Sequence, residues 1–591
     1  MSRFFPLVGV AGLVLIACIR LPEAGAADPP APVGAKIADF TRLDATSGKP
    51  WSFVEHTRDA KATVVVFLNT CCPVCNAYGV TLAQLHKQYA REGVVFLGVN
   101  SHGPDTAAEI ADNAKELGLP FPVLKDEGTS LADKFAVERA PTAFVLDASR
   151  TVRYAGRIND QFAPGAHKNS ASTRELGAAI DAVLEGREVK TPSAPAVGCK
   201  LTRPRAPVAA TNAVTYHKDI VPIVQDRCQE CHRSGEAGPF ALTSYKQARG
   251  WADMIREVVS DGTMPPWHAD APLGHFQNDR RLSPDQKKTL LSWLDAGCPE
   301  GDPKDAPPAK IFVSGWRLDR EPDQVLKMTK PIEVPASSFL GLGMRYEYVP
   351  AGPEFTEDKW ITGVEVRPDY RAVVHHIIVF ILPPRKERQR LDLDNFGSYM
   401  LAAYVPGDAP VVFPEGMARK IAKGSQLLFE MHYTPNGKPG VDQSMVGLVY
   451  AKGPPRHEIK AKAIKNDKFV IPAGAANHEV KSSFTPGKKI TILSFTPHMH
   501  VRGKAFRFEA EAADKTTELL LNVPRYDFNW QARYLPNQPK VLPAGSTIRC
   551  TGWFDNSPTN PVNPDPKARV RWGQQTWDEM MIGFVDYYEE D

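Results

Sequence analysis

The feature that most constrains this chain is a change of hydrophobic period that happens twice, each time at a proline- and alanine-rich interruption. Residues 186–212, GREVKTPSAPAVGCKLTRPRAPVAATN, and residues 299–309, PEGDPKDAPPA, carry no periodic apolar signal. Before the first, the buried-strand runs ATVVVFL (62–68) and VVFLGVN (94–100) bracket a helix-period segment, CNAYGVTLAQLHKQYARE. TAFVLD (142–147) and TVRYAGRI (151–158) then predict a hairpin. Between the interruptions the pattern is helical, as in LSPDQKKTLLSWLDAG (282–297), with Ser283 placed as N-cap and Gly297 just past the end. After residue 310 come short alternating strands with Pro/Gly turns, such as VVHHIIVFIL and SQLLFEMHYTP, which predict sandwiches. No single core serves all three patterns, and 591 residues suggest about three to five domains.

The expected organisation is multidomain: an α/β unit over 34–188, a linker over 189–212, an all-α unit over 213–302 and a linker over 303–312. Two all-β sandwich lobes follow, over 313–453 and 454–591, divided at the softer break GPP (453–455). Basic and acidic residues number 71 and 68, a net +3, which gives no electrostatic reason to expect nucleic acid or an anionic membrane as partner. The N-terminus places an arginine before an apolar run from Phe4 to Ile19, then Ala24-Gly25-Ala26 at a cleavage position. A cleaved secretory signal over residues 1–26 is expected, because the run is short for a membrane span. Leu15-Ile16-Ala17-Cys18 loosely resembles a lipobox, so a lipid-anchored form through Cys18 is the lesser alternative. No later stretch is apolar enough to cross a bilayer, so a periplasmic or secreted protein without a stable membrane span is expected.

Nine cysteines are few for a disulfide scaffold of this size, and five of the eight outside the signal fall in two tight clusters, which points to chemistry. The first cluster is Cys71-Cys72-Pro73-Val74-Cys75, where a strand ends and a helix begins. The helix dipole favours thiolate there, so Cys72 and Cys75 read as a redox pair. The stretch resembles the thioredoxin-like and peroxiredoxin-like redoxins over about 34–165, through CPVC and through ERAPTAF, where Pro141 falls at the family's cis-proline facing the dithiol. A purely structural disulfide is the alternative. Cys71 and Cys75 also share the spacing of thioredoxin-fold copper chaperones, without a matching histidine.

The second cluster is Cys228-Gln229-Glu230-Cys231-His232. Two thiols on one turn can each add to a heme vinyl group while the next histidine binds iron. Region 214–302 resembles a small class I cytochrome c, which implies one covalent heme c on Cys228 and Cys231, an axial His232 and an all-α cytochrome c fold. Met264, in TMPPWH, resembles the family's distal methionine; His268 is its rival, and Met254 reads as core. Cys199 and Cys298 flank this unit and could pair.

The third cluster is a set of histidines in β patterns: His375 and His376 in VVHHIIVF, His432 in FEMHYTP, and His498 and His500 in SFTPHMHVRG, with a methionine in TWDEMM. Residues i and i+2 of a strand share a face, so His498 and His500 project together. Imidazole with thioether favours copper over calcium or magnesium. The pattern resembles the type II copper, ascorbate-dependent monooxygenases over about 313–591, as two jelly-roll-like sandwich lobes. That resemblance implies one copper on His375, His376 and His432 for electron transfer, and another on His498, His500 and Met580 for O2. Met581 is the adjacent rival for the thioether. It also implies facing lobes with the two coppers across a solvent cleft. Three positions depart from the peptide-amidating members: Thr496 replaces an arginine, Phe584 replaces a tyrosine, and Met581 replaces a cysteine, which leaves Cys550 without its usual partner. A peptide carboxylate therefore looks like the wrong substrate.

The combined expectation is an exported oxidoreductase that hydroxylates a small apolar or neutral molecule with O2. Electrons would come from ascorbate or a periplasmic redox protein through the heme, with the redoxin as accessory. A non-catalytic copper or electron-transfer protein, and a thiol–disulfide oxidoreductase fed by the metal domains, are the alternatives.

Overall fold

The computed structural model describes residues 33–590 except 164–165, 169–170, 204–213, 338–343 and 389–396. The expected signal segment, with Cys18, lies outside the described residues, as does the 204–212 part of the first linker. Among the described residues no helix is long and apolar enough to cross a membrane.

Ala62–Leu68, buried throughout, is an inner strand of an eight-stranded sheet. Val94–Asn100 runs parallel to it on one side and Thr142–Asp147 antiparallel on the other. A strand covered on both faces needs a continuous apolar run, which ATVVVFL supplies. Val152–Gly156 closes the expected hairpin. The helical segment is divided into Pro73–Ala77 and Gly79–Tyr89 at Tyr78, whose buried hydroxyl donates to Asn159 Oδ1 at 2.7 Å. This is a thioredoxin-like α/β fold, with the dithiol where the Ala62–Leu68 strand hands over to a helix.

The chain does not leave this unit at residue 188. Ser193–Ala194 adds parallel to Val152–Gly156, and Cys199–Lys200 pairs antiparallel with Arg139–Ala140. Two glycines permit the approach: a Cβ at Gly156 would stand 2.2 Å from the Ala194 oxygen, and one at Gly198 2.0 Å from the Ala140 oxygen. The segment expected as a linker is, over these residues, a strap laid on the first unit.

Residues 216–297 form helices, among them Val221–Arg227, Ala252–Ser260 and Pro284–Asp295. Ser283 caps the last with a capping box to Gln286, and Gly297 follows with φ 76°. The loop after Ser260 leaves this unit. Trp267 and Phe276 are buried in the core of the C-terminal lobe, with ring centroids 5.0 and 5.5 Å from Tyr534.

The β-rich remainder forms two sandwich-like lobes. In the N-terminal lobe, the four-stranded sheet Glu347–Ala351, Gln426–Tyr433, Val374–Leu382, Met400–Tyr404 packs on a sheet containing Lys359–Arg367 and Met445–Tyr450. In the C-terminal lobe, Lys489–His498 and Ile582–Glu590 pair in one sheet, and Gly503–Glu511 and Thr547–Phe554 in the other. A buried ion pair ties the lobes together. Arg419 of the first donates to Asp586 of the second at 2.7 Å, and Ser494 donates to the other carboxylate oxygen at 2.8 Å.

Candidate redox and metal sites

Cys72 is the N-cap of Pro73–Ala77, and its sulfur lies 3.4 Å from the carbonyl oxygen of Ala140, the residue before Pro141. The Ala140–Pro141 bond is cis, so the expected proline does stand beside the dithiol. Burial pushes the Cys72 thiol up, but hydrogen bonds from Cys199 and Cys75 outweigh it and hold Cys72 well below the usual thiol range. Cys75 is pushed up, first by burial and then by the Cys72 sulfur beside it. One thiolate against one thiol is the arrangement for disulfide exchange. Cys71 takes a hydrogen bond from the Thr70 hydroxyl at 3.6 Å. The suggested Cys199–Cys298 pairing needs correction: Cys199 is brought to Cys72 by the strap, while Cys298 is buried in the core around Trp293 of the helical unit, its carbonyl bonded by Tyr245 at 2.8 Å.

In Cys228–His232 the turn is closed by bonds from the Cys231 and His232 amides to the Cys228 oxygen, at 3.2 and 2.9 Å. His232 Nδ1 lies 3.1 Å from the Phe240 oxygen, which fixes the ring and leaves Nε2 outside that bond. Both thiols are free, and burial pushes Cys228 up to about 12. These residues fit a covalently attached heme with a histidine axial ligand. Met254 is committed elsewhere, its sulfur accepting the Lys200 amide at 3.4 Å. Met264 is half-buried on the departing loop, its amide bonded to the Val258 oxygen at 2.9 Å. His268 lies farther along the same loop, beside Asp527 and Arg525 of the C-terminal lobe.

The turn is also fastened to the N-terminal lobe. Arg317 reaches Glu230 at 3.0 Å, Arg371 pairs with Glu236, and Arg280 of the helical unit pairs with Asp408. A Cβ at Gly407 would come within 3.0 Å of Cys231 Sγ.

His376 and His432 face each other directly across the antiparallel pair Val374–Leu382 and Gln426–Tyr433. Neighbours in a strand normally point to opposite faces, yet His375 joins them because the register slips between Val374 and His376. His375 Nδ1 and His376 Nδ1 are 3.0 Å apart, and the three residues offer ligand atoms within 4.8 Å of one another. Nitrogens around one tetrahedral ion at about 2.0–2.1 Å stand about 3.3 Å apart, so the group fits a single metal. His432 Nε2 lies 3.4 Å from Thr576 Oγ1 of the other lobe.

His498 ends its strand opposite Ile582. Met499 turns into the sandwich core, so His498 and His500 lie together on the other side, with centroids 5.4 Å apart. His498 Nδ1 is 2.5 Å from Gln531 Oε1, and His500 Nδ1 is 3.3 Å from the Asp578 oxygen. His500 Nε2 is buried and has no hydrogen-bond partner among the described residues, as a metal-facing nitrogen would be. Burial lowers His498 to about 4 and His500 to about 3, so both are neutral, ligand-ready imidazoles at neutral pH. Met581 is fully buried in the core with Met499, whereas Met580 packs with Ile582 and Phe584 outside it. Cys550 is a buried core thiol, against which a Cβ at Gly583 would stand 2.6 Å from the sulfur.

The expectation of two sets separated by a solvent cleft is corrected here. The rings of His376 and His498 have centroids 6.3 Å apart, and buried Tyr346 lies 4.6 Å from His432 and 6.4 Å from His500. The interlobe ion pair holds the lobes in this arrangement, and Met400 of the N-terminal lobe packs against Ala463, Ile582 and Phe584 of the C-terminal lobe. Sequence reasoning missed Tyr346 and Phe528. The latter stacks on His375 at 4.9 Å and lies 5.9 Å from His500. Neither stands in a motif; only their packing against imidazoles marks them. A cavity of about 2200 Å³ is lined by Cys199 from the strap, Met254 and His268 from the helical unit, and His375, His432 and Phe528 from the lobes.

The first unit is a redoxin module, and known proteins agree: residues 33–155 match the AhpC/TSA family. Among curated relatives is the thiol-disulfide oxidoreductase ResA of Halalkalibacterium halodurans, 27% identical over 90 residues, or 15% of this chain and 49% of that protein. ResA of Geobacillus thermodenitrificans is 26% identical over 121 residues, or 20% and 67%. The chain therefore spans about half the length of the first of these relatives. Similar solved structures include a hypothetical protein from Sinorhizobium meliloti 1021, 30% identical over 29% of this chain and 93% of that one, TM-score 0.27. Another is an uncharacterized conserved protein from Geobacillus kaustophilus, 28% identical over 29% and 90%, TM-score 0.26.

Proposed function

We propose that this chain is an exported oxidoreductase that hydroxylates a small apolar or neutral substrate with O2. His375, His376 and His432 would hold one copper, and His498, His500 and Met580 the other. Cys228, Cys231 and His232 would carry heme c, with Met264 as the proposed sixth ligand. Copper and heme, when bound, supply single-electron transfer and oxygen activation. The observation that carries the reading is the meeting of five buried or half-buried imidazoles from two lobes, with His376 and His498 6.3 Å apart.

The chain's own residues prepare the site. Gln531 and the Asp578 carbonyl orient His498 and His500, Thr576 orients His432, and Tyr346 and Phe528 pack against the rings. Thr496 lies directly opposite Phe584, so the positions that would grip a carboxylate offer a hydroxyl and an apolar ring. Arg317 and Arg371 hold the CQECH turn on the lobe that bears His375, His376 and His432, which favours electron entry at that set. The test is reoxidation of the reduced chain under O2, followed at the heme. It should require copper and quicken with substrate; equal rates in copper-free protein would remove the relay.

A second reading, thiol–disulfide exchange by residues 33–190, is favoured by the thiolate–thiol pair at Cys72 and Cys75 and by the ResA relatives. Reduction of a disulfide substrate that is lost in Cys72→Ser, with hydroxylation intact, would make it a separate activity of the same chain.

A further inference from the structure

Three buried thiols of the redoxin module meet at Cys72. The Cys72 sulfur is hydrogen-bonded to the thiols of both Cys75 and Cys199, and it lies 3.4 Å from the oxygen of Ala140, the residue Cys199 pairs with. Cys72 is 0% exposed and Cys75 2%, and neither borders the large cavity; Cys199 does. A substrate in that cavity therefore meets Cys199 before it can reach the dithiol. The strap fixes this geometry, because Cys199 pairs with Ala140 in the strand edge beside Pro141, where an added extended peptide would otherwise lie. Gly198, with φ 151°, lets the strap touch the Ala140 carbonyl. Cys199 falls outside the stretch that matches the AhpC/TSA family.

We propose that Cys199 is an internal relay thiol that passes disulfide oxidation between the buried Cys72–Cys75 pair and a thiol substrate in the cavity. The proposal rests on the thiol–disulfide reading of the module. In the first step Cys199, as thiolate, attacks the Cys72 sulfur of a Cys72–Cys75 disulfide. The Cys199–Cys72 bond forms, the Cys72–Cys75 bond breaks, and Cys75 leaves with the electron pair and takes up the proton that Cys199 gave up. A substrate thiolate from the cavity then attacks Cys199, forming a mixed disulfide and releasing Cys72 as thiolate. The Cys75 thiol, freed in the first step, hydrogen-bonds to that sulfur, which makes it a good leaving group. A second substrate thiolate frees Cys199 and carries away the substrate disulfide. Two electrons thus end on Cys72 and Cys75, and no further oxidant or reductant is consumed.

The test uses the full chain equilibrated in glutathione buffers of graded potential, acid-quenched, alkylated and mapped by mass spectrometry. Wild-type protein should show both Cys72–Cys75 and Cys72–Cys199 linkages. Cys75→Ser should accumulate the second. Cys199→Ser should abolish it and slow exchange with glutathione roughly tenfold or more. Cys298→Ser should alter neither. A Cys72–Cys75 disulfide in wild type, with Cys75→Ser giving only a Cys72–glutathione adduct, overturns the relay and leaves the module's thiol chemistry standing. No disulfide at Cys72 at any potential overturns both. The wild-type map decides the matter even if a variant fails to fold.

Discussion

His376 and His498 belong to different lobes, yet their rings stand 6.3 Å apart and nearly perpendicular, at 89°. Each ring is buried and each is tuned by burial toward its neutral form. What is done to the lobe contact is therefore done to the site.

The contact depends on the Arg419–Asp586 pair. Removing one partner of a buried pair typically costs about 3–5 kcal/mol, so Arg419→Met should lower the thermal midpoint and weaken metal retention together. Burial opposes ionisation of Asp586, but Arg419 and Arg533 outweigh it and hold the carboxyl below the ordinary carboxylate range. A depressed folded value means the contribution is complete above about pH 4 and is lost as pH falls through the folded value. Denaturation followed from pH 7 to pH 2 should show wild type losing stability over that range, with Arg419→Met losing less.

Each histidine set should account for one copper. His432→Ala should lower the copper content by about one per chain and leave the other set's type II EPR signal in place, and His498→Ala should do the reverse. Loss of both coppers in either variant would mean one shared centre.

Thr496 and Phe584 face each other across the strand pair beside His498. Thr496→Arg should shift substrate preference toward carboxylates, read as a tenfold or larger change in the ratio of kcat/KM between an acidic and a neutral substrate, about 1.4 kcal/mol or more.

Gly198 has no room for a Cβ against the Ala140 carbonyl. Gly198→Ala should cost about 1–3 kcal/mol and speed alkylation of Cys72, because the strap must lift. Unchanged thiol reactivity would show that the strap does not shield the dithiol.

Much of this was legible because the signals were local. ATVVVFL and VVFLGVN gave strands at the residues expected, and Ser283 capped its helix as placed. His498 and His500 project together because the residue between them, Met499, is core. What stayed hidden was long-range. The strap reads as Pro/Ala linker, since its docking rests on missing Cβ atoms at Gly156 and Gly198, not on an apolar pattern. Trp267 and Phe276 look like loop residues of the helical unit but fill the C-terminal lobe. His375 joins His376 only through a slip of register, which no periodicity announces.

The most direct measurement is the copper and iron content of protein matured in a periplasm, with EPR of the oxidised form. About two coppers and one heme iron per chain, with two type II copper signals, is the predicted result. Heme iron without stoichiometric copper would contradict the central claim and leave the dithiol as the seat of activity.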